Sequence, residues 1–315
     1  TRIIINLGKC IYIYFVIYKN LNTIELYKRG NNLDASYKNI ISTGIRFLSI
    51  GLAAMVVWNT DNLVISHFMG FKDVTSYSTT FKFYGLLFSL ISIINSALWP
   101  IMGKEIGQQN WEWINRTYHN LFHLQICLGG CLWLCGILFM KDFILFWVGP
   151  DGYAGMGVLF FFGGYTYLLS SVTLHSGIIS TFNFIKKMAY IGWWEAVANF
   201  CFSIVLLQYF GLFGVAMGTF IGSLIGPFII LPHIIKKRTN GKITIKLSFI
   251  INHFLLAIVP LLILSLIIGI YIDHIYFKIL ISLLILTSYV LICFLLTPQQ
   301  TKLFFFNYLK KIINK

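Results

Sequence analysis

A chain of 315 residues that is 58% hydrophobic and 11% charged, with a mean hydropathy of +0.80, has too little polar surface to coat a water-soluble particle of its size. Its apolar runs reach the roughly 20 residues that a bilayer-spanning helix needs, so an all-α polytopic membrane protein is expected. The net charge of +14 does not point to nucleic acid, because the 24 Lys and Arg sit in the connections and no basic stripe carries interleaved stacking aromatics.

In chain order, residues 1–18 predict a transmembrane helix that is already under way at Thr1, without the n-region and cleavage site of a signal peptide. The chain is therefore expected to be the C-terminal part of a longer protein. A basic connection, 19–41, leads to spans near 42–69, 78–102, 118–140, 157–181, 188–209 and 211–234, six helices in the segment 42–234. A basic loop follows at 235–247, then a helix pair within 248–297 (249–272 and 275–297) and a basic, aromatic tail at 298–315. Assigning the connections alternately to two sides gives a clear bias. One side, with 19–46, 103–117, 182–188, 235–247 and the tail, holds 18 Lys/Arg, whereas the other holds Lys72, Lys82, Lys141 and Lys278. The positive-inside rule makes the rich side, and with it the C-terminus, cytoplasmic. The segment from Trp99 to Trp113 predicts an interfacial cytoplasmic loop.

Polar residues inside spans should face protein or a cavity, since hydrocarbon satisfies none of them. Asn59, Thr60, Asp61 and Asn62 fan over about 300° of one helix, so no single face hides them. That predicts a helix surrounded by protein or water at this depth, or locally broken. Three explanations stay open for Asp61: an interhelical hydrogen-bond cluster, a place just inside the periplasmic interface, or a place on a polar path. Ser78, Lys82, Gly85, Ser89, Ser92 and Ser96 recur on one helical face, an aqueous path or a polar contact, unless Lys82 snorkels to the interface. Glu195, Asn199 and Ser203 form a third stripe, with Glu195 either a cation site or the partner of a basic residue. Thr166, Ser170, Thr173, Gly177 and Ser180 read as packing contacts.

Gly214, Gly218, Gly222 and Gly226 recur every fourth residue and draw a slanted groove for close helix packing. Cys127, Cys131 and Cys135 share a face and are read as small packing residues, and His119 and His123 lack the glutamate and third ligand of a zinc protease. Neither Walker A nor GxSxG nor a Rossmann glycine pattern occurs. No catalytic residue, no metal and no cofactor is expected, and the chain is not read as an enzyme.

The stretch from Ser49 to Leu90 resembles the polysaccharide-biosynthesis membrane proteins, the oligosaccharide flippases of the multidrug/oligosaccharidyl-lipid/polysaccharide exporter superfamily. The resemblance is carried by Asp61, Phe68 to Gly70, Tyr77 to Ser78 and Lys82, and later by Tyr209 to Lys237 with its glycine run and basic end. It implies a MATE-like architecture of two six-helix lobes, of which this chain would hold the second lobe plus the extra C-terminal helix pair, the first lobe being largely absent. It also implies alternating-access translocation of undecaprenyl-pyrophosphate-linked oligosaccharide repeat units across the bacterial inner membrane, for O-antigen or capsule. Lys82 and Arg46 would then attract the anionic headgroup. Asp61 and Glu195 would couple to H⁺ or Na⁺ or pair with those cations, and Asn59, Asn62, Ser89 and Asn199 would line the same path. The implied partners are lipid-linked oligosaccharide, membrane lipid and a polysaccharide polymerase complex, and no nucleic acid. A cation-coupled multidrug antiporter of the same superfamily is the nearest alternative, and an integral-membrane polymerase or ligase a more distant one.

Overall fold

The computed structural model describes residues 33–182, 184–243, 247–271, 275–299 and 301–302. Two compact units are distinguished, Thr1–Ile45 and Arg46–Lys315. The span expected at 1–18, most of the 19–41 connection and the tail beyond 302 lie outside the described residues.

Eight helices long and apolar enough to cross a membrane occur among the described residues. They are α1 (Leu33–Phe68), α2 (Phe71–Gly107), α3 (Trp111–Trp147), α4 (Met156–Thr181), α5 (Ile185–Phe210), α6 (Leu212–Arg238), α7 (Leu247–Asn252, His253–Ile258 and Val259–Tyr271) and α8 (Ile275–Leu296). The all-α polytopic architecture expected from the composition is the one observed. Helix ends follow turn chemistry. Gly70 separates α1 from α2 at a φ of +114°, and Gly211 separates α5 from α6 at +62°, both conformations that favour glycine. Asn110 caps α3 by accepting from the Trp113 amide at 3.4 Å.

Two helices exceed their predicted spans. Each of α2 and α3 has 37 residues, about 55 Å, against a hydrocarbon core of about 30 Å. The segment from Trp99 is not the expected loop. It continues α2 through Pro100 to Gly107, because Ile101, Met102, Lys104 and Glu105 are competent helix formers and the break waits for Gly107 to Asn110. α6 is kinked within Leu224–Phe228, where Gly226 leaves the helical backbone region (φ −91°, ψ −107°), and α7 widens into a π turn at His253–Ile258. The first contains Pro227 and the second lies just before Pro260. Proline supplies no N–H, and its ring displaces the carbonyl one turn back.

Cation–aromatic contacts gather three connections at one end. Lys242 lies 4.7 Å from the Trp111 ring, and Arg238 and Lys187 lie 3.9 and 4.9 Å from Phe184. At the other end two of the few lysines are neutralised, Lys72 by Asp151 at 2.8 Å and Lys278 by Asp142.

The core centres on α3 and α4, of whose most apolar windows 67% and 72% are buried, whereas α1 and α2 bury only 11%. Close approach depends on missing side chains. A Cβ at Gly136 would strike the Tyr84 hydroxyl, which reaches past it to donate to the Leu159 carbonyl at 2.9 Å. A Cβ at Gly129 would meet Ser170 Oγ at 2.8 Å, so the polar face of α4 does pack against a helix, as its small residues suggest. α1 and α2, by contrast, leave long apolar faces uncovered, including Leu48, Leu52, Met55 and Leu63 on α1 and Leu86, Leu90 and Ile93 on α2.

Candidate functional site

The four polar residues at 59–62 lie on an unbroken helix, and α1 parts them by direction. Asn59 is exposed and donates to the Met55 carbonyl at 2.7 Å, and Thr60 donates to Val56 at 2.7 Å. Asn62 is half-buried. Asp61 is buried, and it is the centre of a node drawn from four helices. Tyr77 of α2 donates its hydroxyl to Asp61 Oδ2 at 2.7 Å, and Thr219 of α6 donates to the same oxygen at 2.7 Å. Ser203 of α5 stands 3.3 Å from Oδ1. One turn earlier on α5, Asn199 donates its amide to the Val57 carbonyl at 3.3 Å and so ties α5 to the turn of α1 that carries Asp61.

Hydrogen counting shows what kind of node this is. Ser203 owns one hydroxyl hydrogen and faces three acceptors, Asn199 Oδ1 at 2.8 Å, Asp61 Oδ1 at 3.3 Å and the Val215 carbonyl at 3.3 Å. Thr219 owns one and faces Asp61 Oδ2 and again the Val215 carbonyl, at 3.3 Å. The node is thus rich in acceptor oxygens and poor in donors, which is the arrangement that a small cation, or a proton on Asp61, completes. No Lys or Arg among the described residues lies within 4 Å of Asp61. A carboxylate at mid-membrane costs about 2.5–3.5 kcal/mol if unpaired. Hydrogen bonds to a charged acceptor contribute about 1.5–3 kcal/mol each, so the two short hydroxyl contacts are enough to hold Asp61 in place.

The remaining candidates do not converge on this point. Arg46 is half-buried on α1, fifteen residues and about 22 Å along the helix from Asp61. Lys82 follows Tyr77 by five residues, turned about 140° from it, and is exposed. Ser89 shares that exposed face with Gly85 and Ser96, and bonds its own helix at the Leu86 carbonyl, 2.6 Å away. Glu195 is half-buried four residues before Asn199 and borders a separate cavity of about 110 Å³ with Ala54, Ser176 and Pro227. A second cavity of about 240 Å³ lies between Trp58, Phe81, Gly85 and Tyr165 and has almost wholly apolar walls. Tyr77, Thr219 and the Val215 carbonyl complete the node without having been singled out as site residues. A signal existed for two of them: Tyr77 stands in the stretch that carried the resemblance, and Thr219 follows a groove glycine.

The groove itself forms the α5–α6 contact. A Cβ at Gly214 would lie 2.2 Å from the Leu206 carbonyl oxygen, and one at Gly218 2.6 Å from the Ser203 amide nitrogen. At Gly222 the nearest atom, the Asn199 amide nitrogen, is 3.1 Å away, and at Gly226 the nearest is a Trp194 ring carbon at 3.6 Å. These glycines seat Ser203 and Asn199 beside Asp61.

An unbroken apolar helix carrying a buried aspartate, paired across to Tyr77 of the next helix, lies in a stretch that can be compared with known families. Residues 48–182 match the MatE family model. The MatE match bears out the exporter-superfamily resemblance over α1 from residue 48 through α4, and contains Asp61 and Tyr77. The other half of the node, on α5 and α6, lies beyond it. Two curated relatives carry the description "Putative O-antigen transporter". The protein from Salmonella typhi is 29% identical over 133 residues, 41% of this chain and 29% of its own length. That from Salmonella typhimurium (strain LT2) is 27% identical over 209 residues, 62% of this chain and 46% of its own length. The chain spans less than half the length of these relatives. No solved structure matches the chain at a significant level. The MatE match, the transporter relatives and the eight apolar helices together identify a multi-pass membrane protein related to transporters.

Proposed function

We propose that the protein takes part in moving undecaprenyl-pyrophosphate-linked oligosaccharide repeat units from the cytoplasmic to the periplasmic leaflet of a bacterial inner membrane, for O-antigen or capsular polysaccharide, by alternating access. The observation that carries this reading is the outward polar face of α2. Lys82, Ser89 and Ser96 lie exposed on a transmembrane helix of the Arg46–Lys315 unit, where bare acyl chains would leave a charge unsatisfied. A water-filled path along α2 would accommodate the sugar and pyrophosphate while the lipid tail stays in hydrocarbon, with Lys82 and Arg46 attracting the anionic headgroup. The relatives' description points the same way. The connections at the basic-poor end are short, residues 148–155 being the longest described, and leave little room for the extramembrane chemistry of a polymerase or ligase.

In this reading Asp61 is the coupling site, and the ion is Na⁺. Every group that meets there is an oxygen, including one backbone carbonyl, the kind of donor that coordinates Na⁺ in membrane transporters. The test uses proteoliposomes holding the full chain and a lipid-linked oligosaccharide, with translocation read as loss of lectin access from outside. An inward Na⁺ gradient should speed translocation at least fivefold over an equal K⁺ gradient at fixed pH. Equal rates, or a dependence on the pH gradient alone, would reject Na⁺ coupling.

A further inference from the structure

We infer that Cys127, His253 and Cys293 form a buried zinc site that staples the C-terminal helix pair α7–α8 to α3. The spacing in sequence groups Cys127 with Cys131 and Cys135, but the fold groups it with residues 126 and 166 positions away. The two sulfurs and one ring nitrogen of Cys127, Cys293 and His253 all lie within 4.8 Å of one another. His253 and Cys293 are buried and Cys127 is half-buried. Zn–S bonds of about 2.3 Å and Zn–N bonds of about 2.0 Å make a tetrahedral N···S edge of about 3.5 Å. The observed contact of His253 Nε2 with Cys293 Sγ is 3.3 Å, so only small shifts would admit the ion.

The surroundings are those of a supported site. His253 opens the π turn of α7, a distortion that recurs where a helix redirects a functional side chain. Its other ring nitrogen, Nδ1, is 3.3 Å from the Tyr167 hydroxyl, the outer contact that fixes ring orientation in metal sites. Tyr289 donates its hydroxyl hydrogen to the Cys127 carbonyl at 2.8 Å, and its oxygen lies 3.1 Å from Nε2. With the Tyr289 hydrogen committed to that carbonyl, Nε2–H is the donor toward Tyr289 and Cys293, and Nδ1 accepts from Tyr167. Metal binding moves the ring hydrogen to Nδ1, frees the Nε2 lone pair and releases one proton from each thiol, two protons per ion.

Charge selects the metal. Two thiolates and one neutral imidazole leave Zn²⁺ with no net charge, which the apolar core around Phe122, Ile126, Ile258 and Ile285 tolerates. Cu⁺ would leave a net negative charge there, and Mg²⁺ or Ca²⁺ calls for oxygen donors. A cavity of about 200 Å³ at the basic end is bordered by His119, His123, Phe249 and Asn252, next in the chain to His253. The Phe249 ring contacts both His123 and His253.

The experiment loads the purified, reduced full chain with Co²⁺, a spectroscopic stand-in for Zn²⁺. One equivalent should give thiolate-to-cobalt charge-transfer and tetrahedral visible bands that Zn²⁺ abolishes. Cys127→Ser and Cys293→Ser should each remove about half of the charge-transfer intensity, one thiolate of two, whereas Cys131→Ser and Cys135→Ser leave it unchanged. As a check on folding, Zn²⁺ but not Mg²⁺ should raise the thermal midpoint of the unmutated chain, reversibly by chelator. Absence of a stoichiometric cobalt spectrum in folded protein, its survival in the Cys127→Ser/Cys293→Ser double variant, or a Cys127–Cys293 disulfide in the isolated protein would each overturn the proposal.

Discussion

At Asp61 the carboxylate accepts from two hydroxyls at 2.7 Å, and a third hydroxyl is shared among three acceptors. Asp61→Asn keeps the shape and the contacts, because its amide oxygen can accept from Tyr77 and Thr219 in place of Oδ2 while its N–H₂ donates to Ser203 Oγ, whose own hydrogen has Asn199 Oδ1 as a nearer acceptor. It removes the charge that draws a cation. The variant should reach the membrane at normal levels, lose surface polysaccharide at least tenfold and lose any Na⁺ dependence. Ser203→Ala, which removes one hydroxyl of the node and leaves the carboxylate with its two short contacts, should retain more activity than Asp61→Asn. Quantitative blots of membrane fractions beside polysaccharide gels decide both. Lys82 makes a simpler case, since it is exposed on α2 and takes no part in the node. Lys82→Gln should accumulate normally and reduce export, and full export with this variant would remove Lys82 from the mechanism.

The α5–α6 hairpin turns a four-residue glycine period into a gradient. A Cβ meets backbone below 3.0 Å at Gly214 and Gly218, is tight at Gly222, and finds ordinary contact at Gly226. Forcing atoms into packed helix contacts costs about 1–3 kcal/mol. Gly214→Ala and Gly218→Ala should therefore lower the thermal midpoint in detergent well below that of Gly226→Ala, as fluorescence-detected size exclusion after heating would show. Gly218→Leu should prevent assembly, because it pushes away the Ser203 backbone and with it the node. The period of four was readable from the sequence, but the gradient was not. It depends on where α5 crosses the groove, and a spacing rule does not contain a crossing point. The opposite surprise came from the segment after Trp99, where interfacial tryptophans suggested a loop. The helix formers around Pro100 instead carry α2 on to Gly107.

For the whole molecule, hydropathy and charge sufficed to read the eight long apolar helices of the described residues, because each is a local property of some twenty residues. They did not suffice for the node. Asp61, Asn199 and Ser203 stood out as polar residues in apolar surroundings, yet Ser203 and Thr219 lie 142 and 158 residues from Asp61. Only the packing of four helices brings them together. The same long-range packing separates Arg46, Lys82 and Glu195, which seemed from their chemistry alone to belong with Asp61. Helix alternation and the cation–aromatic contacts at the basic end give an expected topology: a reporter fused after Lys315 should be active only in the cytoplasm, and periplasmic activity would invert the assignment. The most direct measurement is the leaflet distribution of lipid-linked repeat units in cells that lack the protein, before and after complementation. Deletion should trap those units in the cytoplasmic leaflet, with the wild-type gene releasing them and Asp61→Asn failing to do so at equal membrane abundance. Normal appearance of the units on the periplasmic leaflet in the deletion strain would contradict the flippase assignment.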